Sequence, residues 1–294
     1  MPELPEVETI RRGLKEVICG KAITNFEKRD VKVIQFEPKE IIGAKIIDVE
    51  RRAKILIFKL DNKKSILTHL KMTGQLIWEE SAGGKDFQLK KSRVAGGHPS
   101  PDWVAKLPNV HTRSIFYFDD NSVLFFNDLR RFGYMKLYDT KDLDNLTELK
   151  KLGPEPFSDQ FTVDYLMRKA SKIPNRKIKQ FITDQEIISG VGNIYVDEAL
   201  FYAKISPLRL VKDIKLSEWG RIRESIVKAL ELGLKYGGSS EDTYVDAFGN
   251  QGTMNDHTNV YRHTGAYCPD GCDDTIKRIT LGGRGTHYCP SCQK

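Results

Sequence analysis

The sequence has few cysteines and no long apolar run, and each scarcity excludes a class of protein. Only five of the 294 residues are cysteines, too few for the disulfide framework of a secreted scaffold. No apolar run approaches the roughly 20 residues that a membrane helix needs. The opening residues, MPELPEVETIRRGLKE, are too charged for a secretory leader. We therefore expect a cytoplasmic protein with no membrane partner.

Acidic residues are outnumbered by basic ones. The chain has 47 Lys and Arg against 40 Asp and Glu, a formal net charge of +7. This charge would attract a polyanion such as nucleic acid, although a merely soluble basic protein has the same balance. The length favours two domains, because a single core stops growing at roughly 250 to 300 residues.

The first half of the chain reads as one helix followed by strands. Apolar residues recur at helical spacing after Pro5, and Gly20 is a stop signal. From about 22 to 138, short β-rich runs such as KILIFKL and SILTHLKM predict a β-sandwich, and SIFYF and SVLFF read as a hairpin. The segment 79–108 has no sustained period and predicts a long surface loop. Two prolines and a glycine in 151–160 mark the best linker, beyond which the patterns are helical.

Four of the five cysteines lie close to the end of the chain. Cys268, Cys272, Cys289 and Cys292 form two pairs separated by sixteen residues, the pattern of a tetrahedral zinc site. Four thiolates leave no open position for water, so we expect one structural Zn²⁺ ion. Two disulfides are the alternative, which a reducing compartment disfavours.

The N-terminus carries a second constellation. Removal of Met1 would expose the secondary amine of Pro2 beside the carboxylates of Glu3 and Glu6. A terminal amine has a pKa of about 8 against about 10.4 for lysine, so more of it is free to attack an electrophilic carbon. Pro and Glu at a helix start also serve as ordinary first-turn residues, and the local pattern leaves both interpretations open.

A Gly-Val-Gly-Asn turn joins two helical patterns in the second half. Gly190 and Gly192 allow a tight backbone, and Asn193 is placed to cap the helix that follows. The backbone N–H groups at such a helix start can bind a phosphate. A turn that only connects two helices has the same sequence pattern.

Together these motifs resemble the formamidopyrimidine-DNA glycosylase family almost from end to end. The matching segments are PELPEVETIRRGL, ERRAKILIF, LTHLKMTGQL, NDLRRFG, LGPEP, SGVGNIYVDEALF and GRGTHYCPSCQK. The opening PELPEVE is more similar to this branch than to the endonuclease VIII branch, whose members typically begin PEGPE. The resemblance implies a DNA base-excision repair enzyme that works as a monomer on double-stranded DNA containing damaged bases, and associates with the nucleoid when bound.

The implied fold is α+β with two domains. We expect an N-terminal helix plus β-sandwich, and a C-terminal helix-two-turns-helix bundle with a zinc-bound β-hairpin. The predicted parts are a catalytic domain over 1–140, a linker over 141–160, the DNA-binding bundle over 161–259 and the zinc finger over 260–294. DNA would lie in the cleft between the domains.

The implied reaction is that of a bifunctional DNA glycosylase and abasic-site lyase. It would remove 8-oxoguanine and formamidopyrimidines through a Schiff base on the N-terminal proline and nick the strand by β,δ-elimination. Two alternatives stay open. One is an endonuclease VIII-like glycosylase for oxidised pyrimidines, and the other is a non-enzymatic, zinc-containing DNA-binding protein.

The resemblance also implies catalytic roles for individual residues. Pro2 would be the nucleophile, Glu3 the general acid that protonates the opening sugar and Glu6 a supporting acid. Lys54 would contact the phosphate next to the lesion, although by itself it reads as a solvated lysine on a strand edge.

Seven further residues match the DNA contacts of the family. Met72, Arg130 and Phe132 would fill the space left by a flipped nucleotide, although the local pattern alone places Met72 and Phe132 in a core. The implied phosphate contacts, which position the duplex without reading sequence, are His69, Lys179, Asn193 and Arg284.

Three features depart from the family pattern. The first cysteine pair, CPDGC, has three intervening residues where two are usual. The loop 79–108 is longer than in typical members. After Gly238 a stretch resembles the lesion-capping loop, but Glu241 and Asp242 stand where a basic residue is common, so this stretch does not predict the base preference.

Overall fold

The computed structural model describes residues 1–80, 93–95, 107–239 and 252–294. These residues divide into two compact units. The first unit comprises Met1–Lys150 and Tyr236–Thr253, and the second comprises Lys151–Lys235 and Met254–Lys294. Among the described residues, no helix has both the length and the apolar character that crossing a membrane requires.

Helix α1, Leu4–Ile18, opens the first unit. Its apolar side chains recur every three to four residues, so one stripe of the helix is apolar. Val7, Ile10 and Leu14 of that stripe are fully or almost fully buried in the main core of this unit. Burial of this stripe, rather than the intrinsic propensity of a fifteen-residue segment, accounts for most of the stability of the helix.

Two five-stranded sheets form most of the first unit. In the described residues their strands are β1 Ile23–Lys28, β2 Ile34–Gln35, β3 Ile46–Arg52, β4 Ile55–Leu60, β5 Lys64–His69, β6 Gly74–Glu79, β7 Arg93–Ala95, β8 Thr112–Phe118, β9 Val123–Asp128 and β10 Tyr134–Asp139. One sheet has the order β1-β8-β9-β6-β7 and the other β2-β10-β5-β4-β3. The pairs are antiparallel except for β2 with β10.

The core of the first unit lies between the two sheets and α1. Phe26, Phe116 and Phe126 contribute to it from one sheet, and Phe58 and Ile66 from the other. Alternate residues of each strand point to opposite faces, so these side chains share the inner faces of a sandwich. The predicted α+β class with a β-sandwich is confirmed.

The strands explain one success and one error of the sequence-based prediction. The hairpin is confirmed, because β8 and β9 pair with Tyr117 opposite Val123 and Asn121 has φ +64° in the turn. The segment 79–108 falls largely outside the described residues. Within it, however, Arg93–Ala95 form β7, paired with β6. The prediction of a loop without regular structure is therefore wrong at these three residues. A strand of three residues is too short to show an alternation of apolar and polar residues.

The second unit is helical and ends in a small hairpin. Its helices and strands, among the described residues, are α3 Val163–Ala170, α4 Ile178–Ile182, α5 Asn193–Ala203, α6 Leu216–Lys235, β11 Lys277–Leu281 and β12 Arg284–Tyr288; a short helix α2, Thr147–Lys150, precedes them at the end of the first unit. Helix α5 packs closely on α6 at Gly233, where a Cβ would lie 2.4 Å from the Tyr195 ring. The predicted helical bundle with a terminal β-hairpin is confirmed.

Helix α5 also anchors the chain that leads to the hairpin. The carboxylate of Glu198, which is fully buried, accepts hydrogen bonds from the backbone N–H groups of Asn259, Val260 and Tyr261 at 2.8–3.0 Å. A buried carboxylate needs such donors to replace its hydration. This bonding fixes the start of the C-terminal segment on the helical bundle.

Candidate active site and metal centre

The N-terminal pair Pro2 and Glu3 lies directly before α1, and both residues are buried. The backbone N–H of Glu3 donates to Oε2 of Glu6 at 2.8 Å, and the Glu3 side chain accepts from the backbone N–H of Glu6. This reciprocal capping box satisfies two N–H groups that the first helical turn leaves open. The helix start thus holds Glu3 in a defined position beside Pro2.

The second oxygen of Glu6 holds another part of the chain. Oε1 accepts from the backbone N–H of Ser239 at 2.7 Å. Gly238 allows this approach, because its φ is +88° and a Cβ there would lie 2.9 Å from Cγ of Glu6. Ser239 in turn bridges to Thr253. Ser239 and Thr253, which flank the segment 240–251 with Glu241 and Asp242, are therefore paired, and Ser239 is bound to Glu6; the segment itself lies outside the described residues.

Lys54 lies in the turn between β3 and β4 and is 5% exposed, so it is not a solvated lysine. The preceding Ala53 has a left-handed φ of +54°. Its carbonyl accepts from Nη1 of Arg51 at 2.8 Å, and Nε of Arg51 donates to Glu8 at 3.1 Å. The turn that presents Lys54 is therefore tied to helix α1.

The Glu8 carboxylate is shared among three arginines. Burial alone would raise the pKa of Glu8, but hydrogen bonds from Arg11, Arg51 and Arg12 outweigh it and lower the pKa to about 2. Glu8 is thus ionised across the range of pH in which proteins normally work. Its charge keeps the arginine cluster, including Arg51 below the Lys54 turn, in place.

His69 ends β5 near Lys54. Burial, followed by the charges of Lys71 and Lys54, lowers the pKa of His69 to about 3, so the ring is neutral at pH 7. Its Nδ1 accepts the backbone N–H of Lys71 at 3.0 Å, which leaves the ring proton on Nε2. His69 is therefore oriented as a neutral hydrogen-bond donor, the form that suits a phosphate oxygen, rather than as a cation.

Three predicted void-filling residues lie on two neighbouring loops of the first unit. Met72 follows β5 and is 39% exposed, and Phe132 precedes β10 and is 52% exposed. The guanidinium of Arg130 lies 4.8 Å from the Phe132 ring centre. Large apolar side chains that are this exposed are not core residues, which the local pattern alone had favoured for Met72 and Phe132.

In the second unit, Lys179 and Asn193 converge on one carbonyl. Nζ of Lys179 and Nδ2 of Asn193 donate to the Gly285 oxygen at 3.1 and 3.0 Å. Lys179 is 3% exposed and also lies 2.7 Å from a carboxylate oxygen of the fully buried Asp197 and 2.8 Å from the Thr286 hydroxyl. The structure thus directs both side chains to the hairpin backbone.

Asn193 does not act as the helix cap that its position in the sequence predicted. The N-cap residue of α5 is Gly192, which has no side chain that could accept a hydrogen bond. Asn193 is the first helical residue. Its side chain instead reaches Gly285, 92 residues further along the chain. The predicted cap was wrong because the extended backbone of the cap falls on Gly192, so that Asn193 is already helical.

Arg284 lies at the tip of the β11–β12 hairpin and is exposed. The two-residue turn consists of Gly282 and Gly283, both with positive φ, as a tight hairpin requires. His287 on β12 is buried, and its backbone N–H donates to Asp197 at 2.9 Å. The hairpin therefore presents Arg284 at its tip, on a backbone that the helical bundle holds.

The four C-terminal cysteines form a metal centre. Their sulfurs all lie within 4.8 Å of one another, with Cys268 to Cys292 at 3.6 Å and Cys272 to Cys289 at 3.4 Å. Four sulfurs around zinc at about 2.3 Å would be separated by about 3.8 Å, so the residues fit the ion. Gly271, with φ +74°, turns the chain within CPDGC and accommodates the additional residue. The predicted single structural zinc is confirmed.

Several residues that organise the site carry no local sequence signal. Asp128, Asp197 and Glu8 lie in segments that match the family, but the residues beside them give no sign that these three carboxylates anchor other parts of the chain. Each binds groups that are distant in sequence, as Asp197 does with His287, 90 residues away. Strand β9 is buried along its whole length, so no alternation of apolar and polar residues marks Asp128.

Family models match most of the chain. The formamidopyrimidine-DNA glycosylase N-terminal domain matches residues 1–135, and the H2TH domain of the same family matches residues 152–245. A zinc finger found in these glycosylases and in isoleucyl-tRNA synthetases matches residues 268–294.

Individual relatives are similar over their full length. The formamidopyrimidine-DNA glycosylases of Exiguobacterium sp. and Halalkalibacterium halodurans are 37% and 38% identical, and each alignment covers 100% of both chains. Among solved structures, the Lactococcus lactis enzyme bound to abasic-site DNA has a TM-score of 0.84 at 32% identity, covering 99% of both chains. The chain therefore belongs to the formamidopyrimidine-DNA glycosylase family.

Proposed function

We propose that the chain excises oxidised purines from double-stranded DNA and then cleaves the strand at the abasic site. Membership of the family makes it a DNA glycosylase of base-excision repair. The lyase step, the Schiff base on Pro2 and the individual residue roles are our proposal for this chain.

The chemistry begins with the Pro2 nitrogen, free once Met1 is removed. Its lone pair adds to C1′ of the damaged nucleotide as the glycosidic bond breaks and the electron pair of that bond leaves with the base. The proton that the Pro2 nitrogen then loses neutralises the departing base. Glu3 transfers its proton to the ring oxygen, which opens the sugar and leaves an iminium between C1′ and Pro2. The iminium acidifies the C2′ hydrogens. Loss of one C2′ proton expels the 3′ phosphate, and a second elimination expels the 5′ phosphate. Water then hydrolyses the iminium, which frees Pro2 and leaves a one-nucleotide gap.

The observation that carries this proposal is the capping box at the start of α1. It holds the Glu3 backbone next to Pro2 through Glu6, at 2.8 Å. Pro2 also lies directly before the first turn of α1, where the helix carries its partial positive charge. Both effects support a nucleophile and an acid placed side by side, with Glu6 supporting them by position.

The remaining site residues are assigned to holding DNA. Lys54 and the neutral His69 supply donors for phosphate on the first unit, and Arg284 supplies an exposed cation on the second. Lys179 and Asn193 contribute by fixing the Gly285 carbonyl directly after Arg284. Met72, Arg130 and Phe132 would enter the space that a flipped base leaves.

The relatives define which lesions to test. One Lactococcus lactis structure with a TM-score of 0.85 holds DNA containing a formamidopyrimidine, Fapy-dG, and another holds DNA containing an oxidised pyrimidine. Oxidised pyrimidine excision, the endonuclease VIII-like alternative, is therefore a second candidate that the same assay addresses. We further propose that the enzyme acts as a monomer in the cytoplasm, on nucleoid DNA.

A panel of defined duplexes tests the function. The purified chain is incubated with DNA containing 8-oxoguanine opposite cytosine, a formamidopyrimidine, thymine glycol or no lesion, with and without borohydride. We expect excision and a covalent adduct with the two purine lesions and a nicked product with phosphates at both ends. A preference for thymine glycol would establish the pyrimidine alternative, and binding without excision of any lesion would leave a non-enzymatic DNA-binding protein.

The proposed phosphate contact of Arg284 has a measurable salt dependence. Replacement of Arg284 by Ala is expected to weaken DNA binding and to reduce the slope of log affinity against log salt by about 0.9, the contribution of one phosphate. Lys277→Ala removes the same charge from the other end of the hairpin and is expected to retain the slope. Equal slopes for wild type and Arg284→Ala would remove Arg284 from the DNA contacts.

A further inference from the structure

One buried carboxylate lies between the two loops that carry the proposed void-filling residues. Asp128, at the end of β9, is fully buried. Its Oδ2 accepts from the backbone N–H of Gly133 at 2.7 Å, and its Oδ1 accepts from the backbone N–H of Arg130 at 3.2 Å. Asp128 thus holds both ends of the loop that contains Phe132.

The same carboxylate reaches the neighbouring loop through a hydroxyl. Oγ1 of Thr73, the residue after Met72, donates a short hydrogen bond to Oδ1 of Asp128 and accepts from the backbone N–H of Arg130 at 3.0 Å. Thr73 lies 55 residues from Asp128 in sequence. A single side-chain hydroxyl therefore bridges the loop of Met72 and the loop of Arg130 and Phe132.

The loop conformation depends on this bonding. Arg131, at its centre, has a left-handed φ of +55°, which non-glycine residues adopt at a cost. Gly133 packs so closely that a Cβ would lie 3.0 Å from both Oδ2 of Asp128 and the His69 carbonyl. On the outer side, Arg131 pairs with Asp30 at 2.6 Å. The backbone is thus held from two sides, while Phe132 remains exposed.

We propose that Asp128 and Thr73 are positioning residues that couple the Met72 loop to the Arg130 and Phe132 loop, so that their side chains enter the DNA as one rigid unit. The inference rests on the proposed base excision. Two loops that moved independently would each lose conformational freedom on insertion, whereas a bonded pair has already lost it in the free protein. The coupling therefore assists the step in which a base is flipped and contributes little where no base has to leave the stack.

Thr73 offers a matched pair of variants. Thr73→Val keeps the shape but removes the hydroxyl, and Thr73→Ser restores it. We expect Thr73→Val to reduce single-turnover excision of 8-oxoguanine from duplex DNA about tenfold, the effect of losing a hydrogen bond to a charged group. Thr73→Ser is expected to stay within about threefold of wild type. Cleavage of a preformed abasic site is expected to change little in either variant.

Asp128→Asn provides a second and stronger variant, because an amide N–H would then face a loop N–H or the Thr73 hydroxyl. The control is Asp120→Asn in the turn between β8 and β9. Asp120 caps the β8–β9 turn by accepting from the Ser122 N–H at 3.0 Å. Both variants are expected to lower the melting temperature, but only Asp128→Asn is expected to lose the rise in fluorescence of a 2-aminopurine placed beside the lesion, which reports unstacking.

The outcomes separate this inference from the proposed function. A wild-type chain that excises no lesion overturns the proposed function and this inference with it. Active wild type with equal excision by Thr73→Val and Thr73→Ser overturns the coupling alone. A parallel fall in lesion excision and abasic-site cleavage, with normal 2-aminopurine fluorescence, also overturns it, because the residues would then act only on stability or on the chemical steps.

Discussion

A chain that keeps one residue ahead of Pro2 is expected to bind lesion DNA with wild-type affinity and to form no adduct that borohydride can reduce. The additional residue converts the Pro2 nitrogen from an amine into a tertiary amide. Its lone pair is then delocalised into the carbonyl and cannot attack C1′. Peptide mapping of the complex trapped on 8-oxoguanine duplex measures this directly, since the sugar of the wild-type adduct is expected on Pro2.

The control for this prediction retains an amine at the same place. In Pro2→Gly, with Met1 removed, a primary amine replaces the secondary one, so a slower but detectable adduct is expected. If the sugar is instead found on Lys54 or another lysine and Pro2 is unmodified, the proposed nucleophile is wrong, although the DNA-binding assignments would be unaffected.

The parts of this protein that the sequence predicts well are those with local causes. The spacing of the four cysteines between Cys268 and Cys292 predicts a zinc site by itself, because four thiolates complete a tetrahedral coordination shell in any fold. Helix α1 follows from a stripe of apolar residues, and the β8–β9 hairpin from two β-rich runs around a polar turn. Each of these features depends on residues within one short stretch of the chain.

The parts that could not be predicted depend on distant partners. Glu6 holds Ser239 across 233 residues, and Lys179 reaches Thr286 across 107. In sequence, a buried Asp128 or Asp197 looks like any solvated acid, because burial of a carboxylate is decided by which N–H groups the fold brings to it. The residue types at the site were therefore predictable from family motifs, and the bonds that position them were not.

Lys179 illustrates this difference. The family motif assigns it to DNA phosphate, yet the structure surrounds its ammonium with Asp197, Gly285 and Thr286. Three N–H donors meeting three acceptors are characteristic of a structural lysine. Its proposed effect on DNA therefore passes through the hairpin that carries Arg284, a distinction that a sequence motif cannot make.

Replacement of Glu3 by Gln is expected to reduce excision of 8-oxoguanine by about a hundredfold or more, the usual effect of losing a general acid. Gln retains the size of the side chain and its ability to accept the Glu6 N–H in the capping box, so the helix start is expected to persist. It has no acidic proton to give to the sugar oxygen. Single-turnover excision, compared with DNA affinity, separates the lost chemistry from lost binding.

Two comparisons make the Glu3 prediction specific. Glu16→Gln neutralises an exposed acid near the other end of α1 and is expected to excise at the wild-type rate. Cleavage of a preformed abasic site by Glu3→Gln is expected to fall much less than excision, because the aldehyde form of that sugar is already open and needs no proton on its ring oxygen. Loss of both activities to the same extent would place Glu3 in the elimination steps or in the structure of the helix start, and excision at the wild-type rate would show that the proton for ring opening comes from another group.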